Sequence, residues 1–156
     1  MRTLAIAMAL SAYLPALDGV AAPLSKKEEV ACRDVPEGQR DAAILTNPES
    51  IRSVAEIKRE HETGASPRGA RIALTAAPGM TVEGLQRIAD CHMAELAALG
   101  SAPRATRSPL DVAGASVTVN PAGAAFTVDI TSPDPRKARA ILVRARALLP
   151  RRARKH

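Results

Sequence analysis

Apolar and polar residues alternate in three short runs of this chain, a pattern that predicts β-strands. Ala70–Thr75 leads into a turn at Pro78-Gly79, and Ser116–Val119 lies close enough to Ala125–Ile130 to form a hairpin with it. Asn120-Pro121-Ala122-Gly123, between the last two runs, has the residue order of a type I turn. The apolar residues of the hairpin fall on one face: Val117, Val119, Phe126, Val128 and Ile130.

Two stretches with helical periodicity flank the hairpin. Val82–Leu99 follows Thr81, a favourable N-cap, and ends at Gly100. Its apolar stripe consists of Leu85, Ile88, Ala89, His92, Leu96 and Leu99, with Ala94 on the opposite side. The last helix opens with Ser132-Pro133-Asp134-Pro135, whose prolines fit only in its first turn, and Pro150 ends it. Its stripe consists of Ala138, Ile141, Leu142, Ala145, Leu148 and Leu149.

The order of these elements predicts an α+β fold, namely a small antiparallel sheet with two amphipathic helices on one face. This is the ferredoxin-like βαββα order without a final strand. Residues 51–58 leave two alternatives open. Asn47-Pro48-Glu49 is typical of a helix start, whereas Ile51, Ser53, Ala55 and Ile57 alternate as an edge strand does. In the second case an extra N-terminal strand joins the sheet.

The beginning of the chain has the pattern of a secretory signal peptide. Arg2 precedes an uncharged, mostly apolar run from Thr3 to Leu17, and small residues follow at Gly19–Ala22. The run is too short to span a bilayer and contains Pro15, although a retained membrane anchor is the alternative. The sequence therefore predicts a periplasmic or secreted protein.

Four segments follow from these patterns. Residues 1–21 form the signal peptide, and residues 22–68 form an N-terminal helix and loop segment with a linker. Residues 69–150 form the α+β domain, and residues 151–156 form a basic tail.

The positive charge of the chain is concentrated near its C-terminus. The formal net charge is +6, yet residues 135–156 alone carry nine Lys and Arg and no carboxylate, so the remainder is mildly acidic. Such a segment suits an anionic envelope surface or an acidic protein, and nucleic acid is a poor candidate for an exported chain. The candidate surface-binding residues are Arg144, Arg151, Arg152, Arg154 and Lys155. A solvated helix face with a frayed tail is the alternative.

The chain has two cysteines, Cys32 and Cys91. Cysteines of exported proteins usually pair, so we predict a disulfide between them that fastens the N-terminal segment to the first long helix. Two free thiols, one of them reactive beside His92, are the alternative.

Soft metal ligands cluster at Cys91-His92-Met93, with Met80 at the turn before the helix. Thiolate, imidazole and thioether together suit copper, and thiolate and imidazole suit zinc, which makes His92 with Cys91 or Met80 a candidate metal site. However, consecutive helical residues point about 100° apart and cannot easily reach one ion. The alternative is a core histidine that bonds to a neighbouring group.

No catalytic set is evident in the sequence. The three histidines are His61 in a polar stretch, His92, and His156 at the terminus. No serine lies in a nucleophile-elbow pattern and no glycine pattern fits a phosphate-binding loop. We therefore expect a non-catalytic protein that needs no cofactor and binds a partner or the envelope surface.

Residues 69–99, GARIALTAAPGMTVEGLQRIADCHMAELAAL, resemble a group of uncharacterised secreted proteobacterial proteins. Their signature reads GARI…PG-T…LQR…DCH-A…ALG. The segment from Phe126 to Pro135 and Ile141–Ala145 is similar to the group's C-terminal part, and Ala31–Pro36 to its N-terminal cysteine segment. Many members carry a further cysteine where this chain has Ser108-Pro109-Leu110, so a three-cysteine site is not implied here. The resemblance implies export and a single α+β unit, and brings no activity with it.

Overall fold

The computed structural model describes residues 26–36, 45, 47–58, 66–75, 77–98 and 108–149. The predicted signal peptide, residues 1–21, and the basic tail, residues 151–156, lie outside the described residues. Within the described part, no helix has both the length and the apolar character needed to cross a membrane.

The described residues form three α-helices and four strands. In chain order they are α1 (Lys26–Cys32), β1 (Ile51–Ile57), β2 (Gly69–Thr75), α2 (Val82–Ala98), β3 (Ser116–Ala122), β4 (Ala125–Thr131) and α3 (Pro135–Leu148). The strands form one sheet in the order β1-β2-β4-β3, and every neighbouring pair is antiparallel. The predicted α+β class, with a small antiparallel sheet and an extra N-terminal strand, is confirmed.

Residues 47–57 combine the two alternatives that the sequence left open. The Asn47 side chain accepts a hydrogen bond from the backbone N–H of Glu49, and this caps a short 3-10 turn over Pro48–Ser50. The chain then extends at once into β1, which pairs with β2. Pro48 fits the first position of the turn because it has no N–H to satisfy, and the alternating residues after it supply the strand.

The long helices begin at side-chain caps, of which Thr81 was predicted, and they cover the same face of the sheet. Thr81 accepts from the backbone N–H of Gly84, and Asp134 accepts from Arg136 and Lys137. The inward residues of the sheet, most of the buried residues of α3 and Leu85 of α2 form one continuous core. Its fully buried members include Ala70, Ile72, Val128, Ile130, Ile141 and Ala145.

Gln86 connects α2 to the outer edge of β3. Its side-chain amide donates to the carbonyl of Val117 over 3.3 Å and accepts from the N–H of Val119 over 2.7 Å. These two backbone groups point away from β4, where another strand would otherwise pair. The amide therefore satisfies an exposed strand edge, which is a common way to protect a sheet from pairing with a second chain.

The hairpin turn lies two residues later than the sequence predicts. Asn120, Pro121 and Ala122 continue β3, and the connection to β4 is Gly123-Ala124. Pro121 is tolerated in the strand because β3 lies at the edge of the sheet. Gly123 has φ +66°, which a mirror-image two-residue hairpin turn requires at its first position. The prediction of a type I turn over residues 120–123 is therefore wrong.

Gly123→Val is expected to lower the free energy of unfolding by about 1–2 kcal/mol, because a β-branched residue is strained at this φ. No atom lies within 4 Å of the Cβ position, so the cost is one of backbone conformation and not of collision. Gly123→Asn is the matched control, since Asn tolerates the left-handed region. Urea unfolding measures both variants, and equal stability of the Val and Asn proteins would contradict the prediction.

Candidate functional site

A disulfide joins α1 to α2, as the sequence predicts. Cys32 and Cys91 are bonded, with their Cα atoms 4.6 Å apart, and both residues are buried. With Val35 and Ile88 they form a small apolar cluster separate from the main core, and Met80 packs against it. The bond therefore holds the N-terminal helix on α2, outside the core between helices and sheet.

The packing of α1 changes which residues of α2 are buried. The predicted stripe placed His92 at its centre and Ala94 on the exposed side, whereas Cys91 and Ala94 are buried and His92 is only half-buried. Cys91 and Ala94 lie on the same side of the helix, the side that α1 covers. A helical-wheel projection that assumes one buried face on α2 does not identify the second buried face, which forms because α1 packs there.

Glu95 lies beside the disulfide. Its Oε1 is 3.8 Å from Cys91 Sγ and 4.0 Å from Cys32 Sγ. Within the described part of the chain, Cys32, Cys91 and Glu95 form a group whose potential ligand atoms all lie within 4.8 Å of one another. The sequence prediction did not include Glu95, although its position four residues after Cys91 places the two side chains on one helix face.

His92 faces a different neighbour. Its Nε2 lies 3.7 Å from Oδ1 of Asp111, in the 3-10 turn that Ser108 caps, and the imidazole is 21% exposed. Asp111 has further interactions and is not a free ligand. Cys91 offers no thiolate while it is bonded to Cys32, and Met80 packs on the disulfide cluster. The described geometry thus favours the interpretation of His92 as a histidine that contacts a neighbouring carboxylate.

The outer side of α3 carries a basic surface, which we define as Arg136, Lys137, Arg139 and Arg146. All four residues are exposed, and α3 contains no acidic residue. Val143 lies among them on the same side and is 61% exposed. Arg146 approaches Glu56 of β1 at 3.7 Å. No ion pair is recorded for Arg136, Lys137 or Arg139 within the described ranges.

Arg144, one of the predicted surface-binding residues, is engaged within the fold. Its Nη1 donates to the carbonyl oxygen of Ser108 over 3.2 Å, and the residue is half-buried. It therefore helps to hold the turn before β3 against α3. The other predicted residues, Arg151, Arg152, Arg154 and Lys155, lie outside the described part of the chain.

The face of the sheet opposite the helices is polar and open. Arg71 and Asp129 lie side by side at its centre and form two hydrogen bonds of 2.7 and 2.6 Å. The hydrogen bond and the charge of Asp129 raise the pKa of Arg71. A shallow depression around this pair is lined by polar residues, among them Thr118, Asn120 and Thr127, and by the apolar residues Ile57, Pro121 and Ala122. The sequence did not predict the ion pair, because the pairing of β2 with β4 is not apparent from the order of elements alone.

Comparisons with known proteins give no relative of this chain, since no protein-family model, curated protein or solved structure matches it.

Proposed function

We propose that this chain is an exported, non-catalytic protein that binds an anionic lipid surface of the cell envelope through the basic surface of α3. The observation that carries the proposal is the row of exposed cations on one side of this helix, without an acidic residue in the helix. Export is supported by the Cys32–Cys91 disulfide, because such bonds persist in oxidising compartments.

Arg146 of the basic surface pairs with Glu56, but the two cations in the first turn of α3 have no evident role in folding. Arg136 and Lys137 lie in the first turn of α3, where the helix dipole disfavours positive charge. Their backbone N–H groups are already capped by Asp134. The cations therefore do little for the helix itself, whereas each Lys or Arg near an anionic lipid surface contributes about 1 kcal/mol of binding.

Val143 gives the basic surface a lipid-compatible centre. It is a large apolar side chain exposed in the middle of a helix side whose flanks are basic. Long Arg and Lys side chains extend their charged ends to phosphate headgroups while their aliphatic stems lie along apolar surface. Because the apolar stripe of α3 is buried against the sheet, the helix contacts the anionic interface with its basic side and Val143 and does not insert an apolar face. The predicted basic tail, residues 151–156, follows directly and adds four cations.

Neutralising two cations of this surface, in Arg136→Gln/Arg139→Gln, is expected to weaken binding to vesicles with anionic headgroups. The loss is about 2 kcal/mol, or roughly 30-fold, at low ionic strength. Deleting residues 150–156 is expected to add a further loss. Vesicle co-sedimentation with the oxidised protein measures both effects, and binding should fall steeply as salt is raised.

The matched control is Arg33→Gln/Arg87→Gln, which removes the same charge from exposed positions on α2 and directly after α1. This control is expected to bind nearly as the parent does. Equal losses in both double variants would show an effect of net charge alone and would contradict a specific role for α3. If no variant affects vesicle binding but binding to an acidic protein is lost in Arg136→Gln/Arg139→Gln, the lipid surface is excluded as the target.

Metal handling through His92 with Cys91 or Met80 is the second candidate function. Its support is weaker, because Cys91 is bonded to Cys32 and the imidazole of His92 faces Asp111. His92→Ala tests it directly. Loss of stoichiometric copper or zinc uptake with the fold retained favours this function, whereas unfolding without metal binding in the parent protein favours a structural histidine.

A further inference from the structure

We propose that the reduced form of the Cys32–Cys91 pair, together with Glu95, is a binding site for Zn²⁺. The inference goes beyond surface binding by α3 and uses residues of α1 and α2. It starts from three potential ligand atoms, two sulfurs and one carboxylate oxygen, that lie within 4.8 Å of one another.

The distances from the carboxylate are close to those of a zinc site. A tetrahedral Zn²⁺ with Zn–S bonds of about 2.3 Å and a Zn–O bond of about 2.0 Å places sulfur and oxygen about 3.5 Å apart. Glu95 Oε1 is 3.8 Å from Cys91 Sγ and 4.0 Å from Cys32 Sγ. In the oxidised protein these two distances are therefore within about 0.5 Å of the zinc-site value, and reduction has to let the sulfurs move apart to admit the ion.

Helices α1 and α2 position the side chains of Cys32, Cys91 and Glu95 close to one another. Cys91 and Glu95 are four residues apart on α2 and present their side chains on one face. Cys32 is the last residue of α1, so a small shift of this short helix separates the sulfurs without disturbing the sheet. The main core is formed by other side chains than the disulfide cluster. We therefore expect the fold to be retained after reduction.

The donor set favours zinc over copper. Two thiolates alone satisfy Cu(I), and a carboxylate adds little for so soft an ion. Zn²⁺ accepts thiolate and carboxylate oxygen together, and three protein ligands leave a fourth position for water. Both cysteines are buried and Glu95 is half-buried, so the ion would be partly shielded while this position remains open to water.

The chemistry requires a reductant, for which we name a dithiol. The S–S bond breaks as the dithiol supplies two electrons and two protons and itself becomes a disulfide. The products are two thiols, at Cys32 and Cys91. Zn²⁺ then displaces both thiol protons into solvent as the two Zn–S bonds form. Reduction and metal binding are thereby coupled. In the reverse step a second disulfide accepts two electrons from the Cys32 and Cys91 thiolates and two protons from solvent, becomes a dithiol, and the Zn–S bonds break as the Cys32–Cys91 bond forms, which releases the ion.

Zinc titration in competition with a chromophoric chelator tests the proposal on purified protein, both oxidised and reduced with a phosphine. We expect the oxidised protein to bind no zinc at this site and the reduced protein to bind one equivalent. Glu95→Gln is expected to weaken binding at least tenfold, because even loss of a group that merely supports a ligand costs about 10–100-fold. His92→Ala is expected to bind as the parent does.

Cobalt substitution provides a second readout. Reduced parent protein and the Glu95→Gln variant should both show thiolate-to-cobalt charge transfer, with higher saturating concentrations in the variant. Circular dichroism records whether the reduced protein keeps its helices and sheet. Absence of zinc uptake by the reduced protein, folded or unfolded, overturns the proposal. Equal affinity of Glu95→Gln and the parent overturns the role of Glu95, and loss of binding in His92→Ala alone transfers the site to His92.

Discussion

Replacing both cysteines, in Cys32→Ser/Cys91→Ser, is expected to lower the free energy of unfolding by about 4 kcal/mol. The bond links residues 59 apart in the sequence, and closing a loop of that length restricts the unfolded chain by about this amount. A loss of 4 kcal/mol is a large fraction of the stability of a single domain. Urea unfolding of the oxidised parent and the variant measures the difference.

In the folded protein, loss of the disulfide is expected to affect mainly α1 and its packing on α2. Because α1 packs on α2 and belongs to a cluster apart from the main core, limited proteolysis should cut near α1 first in the variant. The reduced parent protein is the control, and it should lose about the same stability as the double variant. A loss below about 1 kcal/mol, or simultaneous cleavage throughout the chain, would contradict this description of the bond.

Gly69→Ala is expected to have the second large effect, a loss of at least about 3 kcal/mol. Gly69 is buried in β2, where the strand approaches β4 at its most crowded point. A Cβ atom there would lie 1.9 Å from the carbonyl oxygen of Ile130 and 2.8 Å from the Cα of Thr131. Both are backbone atoms of a central strand, so they cannot move aside as a flexible side chain does.

Gly79→Ala is the matched control for this prediction. Gly79 has φ +76°, yet its Cβ position has no atom within 4 Å, so only the backbone conformation opposes the substitution. The expected loss is about 1 kcal/mol. Denaturant unfolding of the two variants compares them directly. If Gly69→Ala is no less stable than Gly79→Ala, the close approach between β2 and β4 does not constrain residue 69.

Local signals in the sequence predicted much of the fold. Thr81 and Asp134 begin the long helices where their side chains cap backbone N–H groups, and this requires only neighbouring residues. The alternation at residues 51–58 indicated a strand as one of two alternatives, and the structure forms it over residues 51–57. The prediction of the hairpin turn was wrong because Asn120-Pro121-Ala122-Gly123 is compatible with two turn positions. The pairing of β3 with β4 up to Ala122 selects the later position.

The candidate sites depend more on contacts between distant elements. The disulfide could be predicted because only two cysteines are present. The burial of Cys91 and Ala94 could not be predicted, because it depends on where the short helix α1 packs. Glu95 becomes a candidate metal ligand only because the fold places it next to Cys32, which is 63 residues away in the sequence. The Arg71–Asp129 ion pair likewise needs the knowledge that β2 and β4 are neighbours in the sheet.

The strand order also has a consequence for the time at which the chain folds. β4 lies inside the sheet between β2 and β3, yet it is the last of the described strands in the sequence, and only α3 of the described elements follows it. Of the described strands, a chain that emerges N-terminus first has only β1 and β2 to pair until residue 116, and an isolated pair of strands is marginally stable in water. The sheet therefore forms only when nearly the whole chain is available, which suits a protein threaded unfolded across a membrane as the proposed export requires.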